Sequence, residues 1–211
     1  MKGMKIKLSN IYVFFLGCIF SCSSVVGELS PKKYIEFIQT TGNSILTNNK
    51  SINGVLYKMK YIPIEYMILK SDFCKKEVFD EKKYFQEYSV NKNTLFFNLI
   101  ISDESKSFKV KKLILDKSEY TAALEKSNVQ LQENIKLIIG EQIIPCVLCH
   151  LEPPSSIKPD LRISFEFDIS EKKLGKEDFL ITMNDQLLDN GLIKFRFLNE
   201  ELNRLPKLKL N

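Results

Sequence analysis

Leu161-Arg162-Ile163-Ser164-Phe165-Glu166-Phe167-Asp168-Ile169 alternates apolar and polar residues without a break. Successive side chains of a strand point to opposite faces, so this stretch predicts a strand with one buried and one solvated face. Sheets of that kind are antiparallel, because parallel sheets are covered on both sides and their strands read as continuous apolar runs. The same alternation recurs on either side. Upstream, a turn at Asn53-Gly54 opens a strand in which Val55, Tyr57, Met59 and Tyr61 alternate with Leu56, Lys58 and Lys60, and Pro63 interrupts it. Leu95–Ile101 predicts a strand buried on nearly both faces, and Phe108, Val110 and Ile114 a half-solvated one. Val129, Leu131, Ile135, Leu137 and Ile139 predict a further strand, turning at Gly140-Glu141 into Ile143–Leu151 as a hairpin. Phe179–Met183 and Leu192–Leu198 follow, separated by a turn at Asp189-Asn190-Gly191.

Helical signals are fewer. Ser30 as N-cap and Pro31 at the first helical position start a helix with Tyr34, Phe37 and Ile38 on one face, ending at Gly42-Asn43. Residues 74–88 read as a surface helix, and Ser118 caps a short helix through Leu124. The expected class is α+β, predominantly antiparallel β-sheet with two or three short helices.

The chain has 211 residues with 31 Lys or Arg, 26 Asp or Glu, a formal charge of +5 and an apolar fraction of 44%. Such a balance excludes a disordered tail, a collagen-like repeat and a multi-span membrane protein. A single His leaves little scope for imidazole chemistry. No Gly-rich phosphate loop, Gly-x-Ser-x-Gly elbow or His-Glu-x-x-His helix is present, so nothing recommends an enzyme. Glu166 and Asp168 fall on the solvent side of their strand, which suits solvated carboxylates better than an acid–base pair.

Residues 1–21 have a basic start (Lys2, Lys5, Lys7) and an apolar run from Ile11 to Phe20, the anatomy of a secretory signal peptide and too short for a permanent span. Ile19-Phe20-Ser21-Cys22 resembles the lipobox of bacterial lipoproteins, with an aliphatic residue three positions before the cysteine and a small residue just before it. The resemblance makes Cys22 the lipidated N-terminus of the mature chain. Cys18 is a weaker second candidate, and a plain signal peptide cut near Gly27 is the alternative. The expected organisation is a signal peptide over 1–21, a tether over 22–29 and a single domain over 30–211. Removing the leader takes three lysines and no acid, so 28 basic residues face 26 acidic ones and the charge falls to +2. Binding to nucleic acid is therefore not expected.

Cys146-Val147-Leu148-Cys149-His150 matches the Cys-x-x-Cys-His pattern of covalent haem c attachment. That chemistry needs two thiols and an imidazole on one face, which a helix supplies and a strand does not. Ile143, Ile144 and Val147 are β-branched and Pro145 and Pro153 bracket the segment, so a strand is expected, with Cys146, His150 and Glu152 on one side and Cys149 on the other. Haem binding by Cys146, Cys149 and His150 is the alternative to a domain without cofactor. Other readings are a zinc site using Cys74, Cys146, Cys149 and His150, a thioredoxin-like pair, and a disulfide from Cys74 to Cys146 or Cys149.

Beyond the lipobox, the chain resembles a family of bacterial lipoproteins of about this length. The likeness rests on Leu29-Ser30-Pro31-Lys32-Lys33-Tyr34-Ile35, on Ile52-Asn53-Gly54-Val55 leading to Tyr61-Ile62-Pro63-Ile64-Glu65-Tyr66, and on Pro145–Glu152. In that family the last stretch resembles Pro-Cys-x-x-x-His-x-Glu without the second cysteine, which would make Cys149 incidental. The resemblance implies a cell-envelope protein held to the outer or inner membrane by acyl chains, binding or scaffolding an envelope partner, and implies no activity. Two acyl chains hold a domain on a bilayer almost permanently, since each buried CH₂ contributes about 0.8 kcal/mol. Substituting Cys22→Ser is expected to abolish incorporation of a fatty-acid analogue and to leave the precursor uncleaved; continued labelling of that variant would refute the assignment.

Overall fold

A computed structural model describes residues 27–75, 79–104, 107–116, 121, 131–153, 159–170 and 176–210, with the side chains of 72–75 left out of the description. The fold is α+β and mainly antiparallel. Its elements run β1 (Glu28–Leu29), α1 (Pro31–Gln39), α2 (Gly42–Ile45), β2 (Thr47–Ile52), β3 (Val55–Ile62), α3 (Ile64–Lys75), α4 (Glu81–Asn91), β4 (Thr94–Asp103) and α5 (Lys109–Leu115). Then come β5 (Ile135–Ile139), β6 (Gln142–Pro145), β7 (Leu148–Glu152), β8 (Leu161–Asp168), β9 (Phe179–Asp185), β10 (Gly191–Phe197), α6 (Asn199–Leu202) and β11 (Lys207–Leu208).

Two antiparallel sheets face each other, one ordered β2-β3-β4-β8-β7 and the other β10-β9-β5-β6. In β8, Leu161, Ile163, Phe165 and Phe167 are buried and the residues between them are not, as their alternation predicts. Phe97 of β4 centres the space between the sheets. Its ring lies 5.8 Å from Phe165 and 5.8 Å from Phe167 in its own sheet, and 5.6 Å from Phe197 of the facing sheet. Each such aromatic pair contributes about 0.5–1.5 kcal/mol beyond the area it removes from water. The hairpin of β2 and β3 turns on Asn53 and Gly54 at φ of 52° and 79°, the positive pair that a two-residue turn of this twist requires.

A second core lies on the far side of the larger sheet. Ile62 and Phe96, which point away from the first core, pack with Ile38, Leu46, Ile68 and Leu69 of the helices and the short connection after α2. The C-terminal segment closes this layer. After α6 it returns across the helices, and β11 pairs in parallel with β1, Lys209 N donating to Leu29 O at 2.8 Å.

Several expectations need correction. Residues 108–114 are not a strand: Val110, Leu113 and Ile114 follow the i, i+3, i+4 rule and face the core on α5. The cap of this helix comes from the end of β4, where the Asp103 carboxylate accepts from Val110 N at 3.0 Å and Lys111 N at 2.9 Å. The strand expected over 129–139 begins only at Ile135, and residues 131–134 are helical, with Leu131 and Ile135 buried one turn apart. The helix read over 74–88 is instead the end of α3 and most of α4, the latter capped by Asp80, which accepts from Lys83 N at 3.1 Å. Gly42 opens α2, although α1 stops before it, and β2 went unrecognised because Thr47–Ile52 is polar and lies at a sheet edge. Glu28 and Leu29, read as tether, are strand β1. Among the described residues four helices reach seven residues or more. The short helix expected from Ser118 to Leu124 lies outside the described residues apart from Thr121.

Truncating Phe97→Ala should lower the unfolding free energy by about 3–5 kcal/mol in a urea titration. Leu192→Ala, at a side chain 61% exposed, should change it by no more than about 0.5 kcal/mol.

Candidate functional site

The Cys-x-x-Cys-His segment forms a corner between the two sheets. β6 ends at Pro145 in the smaller sheet, and β7 begins at Leu148 in the larger one. Gln132 holds the crossing, its side-chain amide donating to the carbonyls of Cys146 at 3.2 Å and Val147 at 3.0 Å. The bend changes the parity of the strand. Ile144 and Cys146 point inward before it, and Cys149 and Leu151 point inward after it, while His150 is exposed. The expected grouping of Cys146 with His150 is therefore corrected: both thiols are internal and the imidazole is on the opposite face.

Both thiols are free, and burial pushes Cys146 up to about 11 and Cys149 up to about 12. The Cys146 thiol also donates to Leu148 O at 3.0 Å. A haem edge would have to reach two sulfurs inside the core while its iron met a histidine outside, so these three residues do not fit a covalent haem as they are placed. The zinc reading meets the same divergence, and the Cys74 side chain lies outside the description; among the described residues no three metal-ligating side chains gather. Cys22 and Cys18 also lie outside it. His150 pairs by strand register with Ser164, and Ser164 Oγ donates to Glu152 Oε1 at 3.3 Å. Glu166 and Asp168 remain on the outer side of β8; the Asp168 carboxylate accepts from Ser170 N at 2.8 Å, which holds it below its ordinary range.

A second polar feature ties the ends of the sheets. Asp185, 2% exposed, accepts from the Tyr57 hydroxyl at 2.5 Å and from Leu187 N and Leu188 N at 3.1 and 3.2 Å. Asn190 Nδ2 donates to the same Tyr57 oxygen at 2.6 Å, and Asn53 Nδ2 donates to Asn190 Oδ1 at 2.9 Å. These groups saturate one another, as buried polar groups in a structural brace do.

The candidate site is the cleft between the helical layer and the C-terminal segment. It holds about 580 Å³ and is lined by Tyr34 of α1, Tyr61 of β3, Glu65 of α3, and Tyr84 and Tyr88 of α4. Its other wall is the chain from Asn199 to Leu210, with Leu202, Leu205 and Lys207 contributing. Each element positions its residue for a local reason. Pro63 ends β3 and starts α3 two residues before Glu65, while Tyr84 and Tyr88 stand one turn apart on α4 with ring centroids 5.8 Å apart. Tyr61 joins the site to the main core, its ring 5.3 Å from Phe97 and 6.4 Å from Phe179.

Burial raises the Glu65 carboxyl above its ordinary 4.5, opposed only by its own backbone N–H. Burial likewise raises the phenols of Tyr34, Tyr61, Tyr84 and Tyr88, and the Glu65 charge adds to each. No cation among the described residues pairs with Glu65. A cavity of this size with an aromatic lining and one unpaired carboxylate is the anatomy of a small-molecule site. Among the described residues its lining has no imidazole or cysteine and a single acid, Glu65.

No local pattern marks this cleft, although Leu29–Ile35 and Tyr61–Tyr66, two of the stretches that carry the family resemblance, supply Tyr34, Tyr61 and Glu65. A further signal was available, since four of the chain's eight tyrosines line one cleft. Compared with known proteins, the chain matches no family model, no curated protein and no solved structure.

Two outcomes follow from these environments. Because the folded state holds the Glu65 proton more tightly than the unfolded chain, it binds more protons above pH 4.5, and stability attributable to this residue falls as pH rises through that window. Glu65→Gln should therefore gain on the wild type between pH 4 and pH 7 in paired denaturant titrations, and a constant difference would contradict the assignment. Iodoacetamide at mildly alkaline pH should leave Cys146 and Cys149 largely unmodified in the native protein and alkylate both after denaturation, read by peptide mass spectrometry.

Proposed function

We propose that this protein is a noncatalytic binding domain of the cell envelope, held to a membrane through acylated Cys22, whose cleft between α1, α3, α4 and the C-terminal segment takes a small ligand. The observation that carries the binding part is the unpaired Glu65 carboxylate among Tyr34, Tyr61, Tyr84 and Tyr88 in a cleft of about 580 Å³. The Glu65 carboxyl is half-buried at the cleft, and no side chain among the described residues pairs with it, so it is available to a ligand. The anchor part is supported by the lipobox-like Ile19-Phe20-Ser21-Cys22 and by the basic and apolar leader before it. Among the described residues no helix is long and apolar enough to cross a membrane.

β1 begins six residues after Cys22 and pairs with β11, whose Lys207 and Leu208 line the cleft. Six residues span at most about 20 Å. An acylated Cys22 would thus keep this cleft close to the bilayer surface.

Ligand screening by NMR, with the tyrosine rings selectively labelled, tests the proposal. Binders should shift Tyr34, Tyr61, Tyr84 and Tyr88 together and leave Tyr57, in the brace at the far end of the sheets, unchanged. A screen whose binders all map elsewhere would reject the cleft as the functional site.

A further inference from the structure

The cleft discriminates by charge as well as by size; this inference deepens the binding reading above and rests on it. Among the described residues that line it, Glu65 is the one acid, and its carboxyl lies among phenol rings. The face of an aromatic ring is negative, so rings and carboxylate attract the same kind of group. An anion entering here would be repelled by Glu65, and a neutral apolar molecule would strip water from the carboxylate without replacing it. A compact cation with apolar substituents meets both demands, pairing with the carboxylate while its hydrocarbon surface packs on the rings. The cation that the described chain itself contributes to the lining, Lys207, is exposed on β11 in the opposite wall. A second positive charge on the ligand would meet it unfavourably, and a negative group beside the cation would not.

We propose that the cleft binds an organic monocation of the ammonium type, through Glu65 and the surrounding tyrosines. Such a group is carried both by free metabolites and by the headgroups of zwitterionic lipids, and a cleft tethered near a bilayer has access to either.

The test compares choline with 3,3-dimethyl-1-butanol, which has the same shape and no charge, in NMR titrations of the full-length wild-type chain and of Glu65→Gln. Choline is expected to bind at least about tenfold more tightly than the neutral analogue to the wild type. Glu65→Gln should weaken choline binding and shrink its preference over the analogue to what the rings alone supply, while the analogue binds at least as well as to the wild type, which a mere loss of folding would not do. Tyr88→Leu should weaken choline binding and Tyr88→Phe should retain it, because the ring and not the hydroxyl attracts the cation. Equal affinity for the two probes, no shift of the cleft tyrosines by choline, or an undiminished preference in Glu65→Gln would each overturn the proposal. If neutral or anionic compounds from the screen still bind among these tyrosines, the binding reading stands and only the ammonium assignment falls. A soluble short-chain phosphatidylcholine binding more tightly than choline would support the cation and assign it to a lipid headgroup; the reverse order would support it as a free molecule.

Discussion

Tyr61, Phe97, Phe165 and Cys149 form one row across β3, β4, β8 and β7, each opposite the next in the strand register. The rest of the molecule is arranged about this row. Phe97 meets Phe197 of the facing sheet and so joins the two layers, while Phe165 and Phe167 fill the space beside it. At one end, Tyr61 leaves the inner core and becomes part of the cleft; at the other, Cys149 closes the row with a small buried thiol. Side chains in a packed interior have few alternative rotamers, so the cleft inherits a rigid floor from the sheet beneath it.

The cleft lies where the helices meet the sheet. α1, α3 and α4 cover Ile62 and Phe96 on the outer face of the larger sheet, and Tyr34, Tyr84 and Tyr88 border the space beside them. The C-terminal segment borders this space, held by the β1–β11 pairing, by Lys209 N donating to Leu29 O and by Leu202, Leu205, Leu208 and Leu210 packed on the second core. The Glu65 carboxyl in this cleft pairs with no cation among the described residues. The saturated brace of Tyr57, Asp185 and Asn190 shows the opposite arrangement: every polar group has its partner, and the sheets are locked together there.

The cysteine motif shows how a short pattern misleads. Cys-x-x-Cys-His carries chemistry only if its three side chains converge, and convergence depends on the backbone that bears them. Here the chain changes sheets at Cys146 and Val147, which shifts the inward face by one residue and sends His150 outside. The thiols then act as small apolar groups, disfavoured as thiolates by the same burial that packs them.

Period-two alternation was sufficient to place β3, β8, β9 and β10, because each has one dry and one wet face and the pattern needs no knowledge of neighbours. Ser30-Pro31 and Asn53-Gly54 likewise act through their own backbone preferences, and both occur where local reading puts them. The helix over Lys109–Leu115 could not be found this way, since its cap is a carboxylate on β4, and neither could α3, whose nearly continuous apolar start hides its period. The cleft was hidden for the same reason. Its four tyrosines and Glu65 come from four elements between Tyr34 and Tyr88, and only the folding of α1, α3 and α4 against β3 turns scattered tyrosines and one glutamate into a single surface. Local periodicity is a property of a segment, whereas convergence of side chains depends on how segments pack.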